Sequence, residues 1–294
     1  MSGAPRIALL GFGEVGQKLA ADLRAYGHRD IAAWDVLFTQ AGSGPSGAAV
    51  GLVRAGRDCR DALAGSSVVI CAVTAAQCVA AAEDAARTIA PGTFFVDLNS
   101  VAPSTKVDAA AFLRAAGARY VEAPVMSPIG PKGIASPILL GGPHAGEFLS
   151  VAHALGFSGT RVFSAKLGQA SAAKLCRSVM IKGLEALLAE SMLAARRYGV
   201  ETAVLDSLRD LLPGTDWPQL ARYMISRSLL HGHRRAEEMR EAARTVSDAG
   251  VEPLMSSATA QRQDWAAAYA AAAAIETLAP MLDAVLNSSG DSQC

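Results

Sequence analysis

From residue 6 to about 165, short apolar runs alternate with alanine-rich helical stretches, which is the pattern of a doubly wound, mostly parallel α/β sheet. The runs are Ile7–Leu10, Ile31–Trp34, Val50–Val53, Val68–Val73, Phe94–Leu98, Arg119–Val121, Ile138–Leu140 and Arg161–Phe163, and glycine and proline punctuate them, as in Ala90-Pro91-Gly92. Beyond Ser164 the period changes. Residues 167–197 make one long helical pattern with apolar positions at Leu175, Val179, Leu184, Leu187, Leu188 and Met192, closed by Tyr198-Gly199. The chain then reads as helical to Asn287, with breaks at Pro213-Gly214, Trp217-Pro218, Gly250 and Pro253. The expected division is therefore a sheet domain over 1–165 and an all-helical domain over 166–294, joined by the long helix and ending in a frayed polar tail from Ser288 to Cys294.

The first run ends on Gly11-Phe12-Gly13-Glu14-Val15-Gly16, a GxGxxG turn that follows a strand pattern and opens the amphipathic stretch Gln17 to Ala25. In a dinucleotide fingerprint each glycine has its own task. Gly11 makes the strand-to-helix turn, Gly13 admits a pyrophosphate to the backbone, and Gly16 lets the helix pack on the strand. The pyrophosphate then meets the helix N-terminus, where unpaired N–H groups and the dipole favour negative charge. Asp35 closes the second run nineteen residues past Gly16, at the offset where an acid receives the ribose hydroxyls. The Gly- and Ser-rich segment Gln40 to Ala48 reads as a mobile loop near that ribose.

The chain of 294 residues carries 27 basic and 27 acidic side chains, so no broad field attracts nucleic acid or an anionic membrane. The longest apolar stretch, Trp265 to Ile275, is eleven residues of mostly alanine, too short to cross a bilayer. Met1 to Arg6 leaves no room for a secretory apolar segment. Five cysteines, Cys59, Cys71, Cys78, Cys176 and Cys294, form no CxxC pair and suit reduced thiols of a cytoplasmic protein.

Four further segments carry candidate chemistry. Ala72, Val73 and Thr74 follow a buried strand and line the path from adenosine to nicotinamide. Asn99 and Ser100, just past Asp97, are placed to hold a substrate carboxylate or hydroxyl, or equally for Ser100 or Ser104 to cap the helix that begins near Pro103. Lys174, Ser178 and Lys182 share a helical face at i, i+4 and i+8. Lys174 lies between Ala173 and Leu175, and it reads either as a proton shuttle for hydride transfer or as a solvated lysine. His231-Gly232-His233 with Arg234 and Arg235 reads as an anion grip or a solvated basic turn, and a metal site there lacks a third ligand.

The order GFGEVG, Asp35, Asp97-Leu98-Asn99-Ser100, Glu122-Ala123-Pro124-Val125 and Gly168 to Lys174 resembles the β-hydroxyacid dehydrogenase superfamily, which includes 3-hydroxyisobutyrate and 6-phosphogluconate dehydrogenases. The resemblance implies a Rossmann-type domain followed by an all-helical domain that dimerises, with Lys174 as general acid/base and Asn99, Ser100 and Ser178 orienting the substrate. The departures resemble a divergent 6-phosphogluconate-dehydrogenase-like subgroup. Asp-x-Ser-Thr is replaced by Asp97-Leu98-Asn99-Ser100, Ser-Gly-Gly by Met126-Ser127-Pro128, the asparagine four residues past the lysine by Ser178, and Lys-Asp-Leu by Glu237-Glu238-Met239. An acidic small-molecule substrate would then meet Ser100, Met126, Ser127, Pro128, Lys182, His231, Arg234 and Arg235.

Asp35 favours NAD over NADP, because a carboxylate repels a 2′-phosphate and Val36-Leu37-Phe38-Thr39 offers no arginine. The expected activity is oxidation of a small β-hydroxyacid or related polar alcohol. The alternatives are oxidative decarboxylation and a non-catalytic NAD(H)-binding protein. Imine reduction is disfavoured by the presence of Lys174.

Overall fold

Eight strands form one sheet in the order β3-β2-β1-β4-β5-β6-β7-β8 in the computed structural model, which describes residues 5–40, 42–210 and 213–290. The strands are β1 (Ile7–Leu10), β2 (Ile31–Trp34), β3 (Arg54–Ala55), β4 (Val68–Cys71), β5 (Phe94–Asp97), β6 (Arg119–Glu122), β7 (Ile138–Gly141) and β8 (Thr160–Ser164). All neighbours pair in parallel except β6 and β7, which meet antiparallel. Alternate residues of one strand feed two different cores. Ile7 and Leu9 pack with Leu19 and Leu23 of α1 (Glu14–Ala25), whereas Ala8 and Leu10 pack in a second core with Cys59, Ala82 and Ala109. A parallel sheet covered on both faces requires such continuous apolar strands, and the four residues of β1 and of β4 are all buried.

The covering helices are α2 (Gly44–Ala49), α3 (Cys59–Leu63), α4 (Cys78–Ala86), α5 (Pro103–Ala115), α6 (Ile129–Lys132) and α7 (Ala145–Ala154). Two expectations are corrected here. The Gly/Ser-rich segment is not simply a loop: the Ser43 hydroxyl accepts from the Ser46 amide at 3.2 Å, a proline occupies the first turn, and α2 follows. Ala41 lies outside the described residues. Nor is Val50–Val53 a strand, because Gly51 turns the chain at φ +72° and extension resumes only at Arg54.

The helices that follow are α8 (Gln169–Tyr198), α9 (Glu201–Ser207), α10 (Trp217–Asp248), α11 (Leu254–Ala267) and α12 (Leu278–Gly290). Two compact units are formed, Met1–Lys174 and Leu175–Cys294, so the first turns of α8 belong with the sheet and the division falls later than residue 165. In the second unit Leu188, Met192, Trp217, Ile225 and Met281 make the main core. Asp216 caps α10 by accepting from the Gln219 amide at 3.0 Å. Of the tail expected to fray from Ser288, residues 288–290 continue α12, where the Ser288 hydroxyl donates to the Ala284 carbonyl at 2.9 Å, and residues 291–294, Cys294 included, lie outside the described residues. No helix among the described residues is long and apolar enough to cross a membrane.

Candidate functional site

The fingerprint turn has the three glycine roles written into its geometry. Gly11 sits at φ +88°, and a Cβ there would stand 2.3 Å from the Ala72 carbonyl oxygen. A Cβ on Gly16 would stand 2.2 Å from the Gly11 carbonyl oxygen, so α1 can lie on β1 only without a side chain at that position. At Gly13 nothing stands within 4 Å, and no side chain caps the first turn of α1 that begins there. The turn therefore fits a pyrophosphate: an open backbone approach in front of helix amides. Gly13 and Glu14 are exposed and Val15 is half-buried. The Phe12 side chain is fully buried and meets Phe38 edge-on at 5.7 Å, so Phe12 offers a cofactor its backbone rather than its ring.

Asp35, half-buried at the end of β2, accepts from the Phe12 amide at 2.7 Å and from the Leu37 amide at 2.9 Å. One carboxylate thus ties the fingerprint turn to the next strand. Each oxygen keeps acceptor capacity for a ribose hydroxyl. The Ala72 and Val73 side chains are half-buried beside Gly11, and Thr74 is exposed.

At the end of β5, Asp97 is 1% exposed and Lys106 is 0% exposed, and their side chains pair at 2.8 Å. The Tyr120 hydroxyl donates to Asp97 at 2.6 Å and the Asn99 amide N–H at 2.9 Å, while the Cys78 thiol lies 3.4 Å away. Burial, then the charge of Asp97, pushes the Tyr120 hydroxyl well above its ordinary value. Asn99 was expected to face cofactor and substrate. Its side chain is instead 4% exposed, with the amide nitrogen 3.4 Å from the Cys71 sulfur and 3.5 Å from that of Cys78. The reason is local: Asp97 captures the Asn99 backbone in an Asx-type turn and directs the amide into the core.

Ser100, one residue on, is half-buried and accepts a hydrogen bond from the Lys174 ammonium. Lys174 lies on the second turn of α8, whose start is held by Glu122. This carboxylate is 0% exposed and accepts from the amides of Gly168 at 2.8 Å, Ala170 at 3.2 Å and Ser171 at 3.3 Å, and from the Ser171 hydroxyl at 2.7 Å. Met126 and Ser127 are half-buried and Pro128 is exposed, in the turn before α6.

In the helical unit the expected substrate contacts Lys182, Arg234 and Arg235 are paired with acids. Lys182 pairs with Glu238 at 2.6 Å and donates to the Ser178 hydroxyl at 3.2 Å. Arg235 pairs with Glu185 at 2.5 Å and Arg234 with Glu238 at 2.7 Å. Burial pushes the Glu185 carboxyl up, against the opposing charges of Arg235 and Lys182. His231 occupies a kink of α10 at φ −123° and ψ 18°, and Gly232 packs so closely on α11 that a Cβ would stand 2.3 Å from the Gln263 carbonyl oxygen. The basic cluster lies within a helix rather than a turn: His233 and Arg234 are exposed, and its buried member Arg235 neutralises a buried acid, which burial makes obligatory. Among the described residues no three His, Cys, Asp or Glu side chains gather as a metal site would require.

Sequence reasoning gave no role to Lys106, Tyr120, Glu122 or Ser171. The one available signal was Lys106 beside Thr105 in an apolar helix, since a lysine there needs a partner.

Cys59, Cys71 and Cys78 are buried, and burial pushes the Cys59 and Cys71 thiols from the ordinary 9.0 to about 12, with Cys78 higher still. Their folded values are raised, so the stability they contribute is fully present below pH 9 and is lost as pH climbs from there toward 12. Each of Cys71 and Cys78 should remove about 1.4 kcal/mol per pH unit in that window. Urea melts between pH 8 and 11 should show the fall, and replacing Cys71 and Cys78 by alanine should reduce it to the share of Cys59.

Residues 6–163 match the family model described as the NAD binding domain of 6-phosphogluconate dehydrogenase, and residues 195–266 match a domain of unknown function, DUF1932. Among curated proteins, 3-hydroxyisobutyrate dehydrogenase of Pseudomonas aeruginosa is 28% identical over 221 residues, covering 72% of this chain and 71% of that protein. Among solved structures, a conserved hypothetical protein from Sinorhizobium meliloti is 35% identical with a TM-score of 0.74, covering 96% of this chain and 95% of that one. The 3-hydroxyisobutyrate dehydrogenase of Mycobacterium tuberculosis, at 21% identity and a TM-score of 0.71 over 96% and 99% of the two chains, shares the fold.

Proposed function

We propose, from the premise that the chain belongs to the β-hydroxyacid dehydrogenase-like superfamily and carries its NAD-binding domain, that it oxidises a small β-hydroxyacid or related polar alcohol, or reduces the oxo acid, with NAD. The observation that carries this reading is the Lys174–Ser100 hydrogen bond beyond the carboxyl end of β5, in the same unit as the fingerprint turn. Ligands of open α/β sheets bind at that edge.

The fingerprint amides and the N-terminus of α1 would hold the pyrophosphate, Asp35 the adenosine ribose, and the Ala72–Thr74 loop the path toward the reacting end. The nicotinamide, when bound, supplies the hydride acceptor. Lys174 in its amine form takes the proton of the substrate hydroxyl as the carbinol hydrogen leaves as hydride, and in reduction its ammonium returns that proton to the carbonyl oxygen. Ser100, bonded to Lys174, orients the same oxygen. Ser127 and the turn around it stand as contacts for the substrate's acid group.

A screen of hydroxyacids with NAD⁺ and NADP⁺ tests the reading. Turnover with at least one β-hydroxyacid is expected, with kcat/KM higher for NAD⁺. No turnover across the set would favour a non-catalytic NAD(H)-binding protein, and a preference for NADP⁺ would refute the role given to Asp35. A homodimer through the helical unit is part of the same proposal, supported by the exposed apolar side chains Met180 and Leu187 on α8 and Tyr223 and Leu230 on α10. Light scattering on the same preparation should give twice the chain mass.

A further inference from the structure

Two buried carboxylates stand side by side at the ends of neighbouring strands, since Asp97 of β5 is in register with Glu122 of β6. Like charges so placed repel in a low-dielectric interior, and each needs its own donors. Those donors come from different parts of the chain. Asp97 is satisfied by Lys106, Tyr120 and the Asn99 amide, and so fixes the loop that presents Ser100. Glu122 is satisfied by three amides and one hydroxyl from Gly168 to Ser171, and so fixes the turn of α8 that presents Lys174.

A second observation bears on Glu122 independently. On the antiparallel side of β6 its register partner is Gly141, and a Cβ there would stand 2.2 Å from the Glu122 carboxylate oxygen. The sheet thus gives up a side chain on β7 to admit this one on β6. A helix start is ordinarily capped by a residue of its own loop, which ends the helix but does not place it. Capping from a strand ties the helix to the sheet.

We propose that Glu122 is a positioning residue for Lys174, anchoring the first turn of α8 so that the lysine is held against Ser100. This rests on the catalytic reading of Lys174, and the test separates the two. Glu122→Gln removes the charge, whereas Gly141→Ala leaves Glu122 in place and crowds its carboxylate. Phe148→Leu, in the apolar core, is the control for general loss of stability.

The activity-independent measurement is acetylation of each lysine by acetic anhydride as a function of pH, read by peptide mass spectrometry, with exposed Lys132 as the internal standard. In folded Glu122→Gln and Gly141→Ala, Lys174 should label at least about threefold faster relative to Lys132, with its pH profile altered from that of the parent. In Phe148→Leu it should not change. Alongside this, kcat should fall about 10- to 100-fold in the first two variants with KM for NAD⁺ unchanged, the scale expected of an ångström-sized misplacement. An unaltered Lys174 labelling profile in both variants overturns the proposal. Altered labelling with unchanged turnover upholds the anchor and refutes the catalytic role of Lys174.

Discussion

Replacing Lys174 by alanine is expected to lower kcat by about two to four orders of magnitude, the range that a positioned acid/base contributes. The substrate hydroxyl loses its proton as the hydride leaves, and without the lysine that proton must pass to water or to Ser100, a far weaker base at neutral pH. NADH affinity should be unaffected, because the elements proposed to hold the nucleotide are the fingerprint turn, α1 and Asp35, whereas Lys174 lies on α8 against Ser100. Fluorescence titration with NADH and steady-state turnover on the same preparation separate the two effects. Turnover within tenfold of the unmodified protein would sink the proton-transfer role. Lys174→Arg should rescue little, since a guanidinium keeps its charge at all working pH values and cannot act as the base.

The largest loss of stability should follow Lys106→Met. The ammonium is fully buried against Asp97, and removing one partner of such a pair strands the other charge without solvent, at a cost of about 3–5 kcal/mol. Methionine fills most of the same volume, so the loss reports the charge rather than a cavity. Denaturant midpoints should fall accordingly. Adding Asp97→Asn to Lys106→Met should restore much of the deficit, because the neutral amide no longer demands a counter-charge. A single variant within about 1 kcal/mol of the parent would show that water or Tyr120 solvates Asp97 well enough alone.

The nucleotide half was legible because its determinants are local. A strand, a glycine turn and a helix are neighbours in sequence, and Gly11, Gly16 and Asp35 carry spacing rules that only this geometry satisfies. Lys174 stood out as a charged residue in an apolar helical stretch, and the structure sets it against Ser100.

What escaped was long-range pairing. Glu122 meets Ser171 across 49 positions and Asp97 meets Tyr120 across 23, and no periodicity in either segment encodes the other. Asn99 misled for the opposite reason: the residue type suits a substrate, but a two-residue turn governed by Asp97 decides where it points. Arg235 and Lys182 looked like substrate contacts because charge alone was visible, and Glu185 and Glu238, which answer them, sit 50 and 56 positions away.

The two hydrogen bonds that Asp35 accepts constrain any re-engineering of coenzyme preference. Its carboxylate holds the Phe12 and Leu37 amides, so exchanging it for a small neutral residue to admit a phosphorylated coenzyme also unfastens the fingerprint turn. A successful switch must therefore be at least a double substitution, with one change that accepts the new charge and another that restores an acceptor to those two amides.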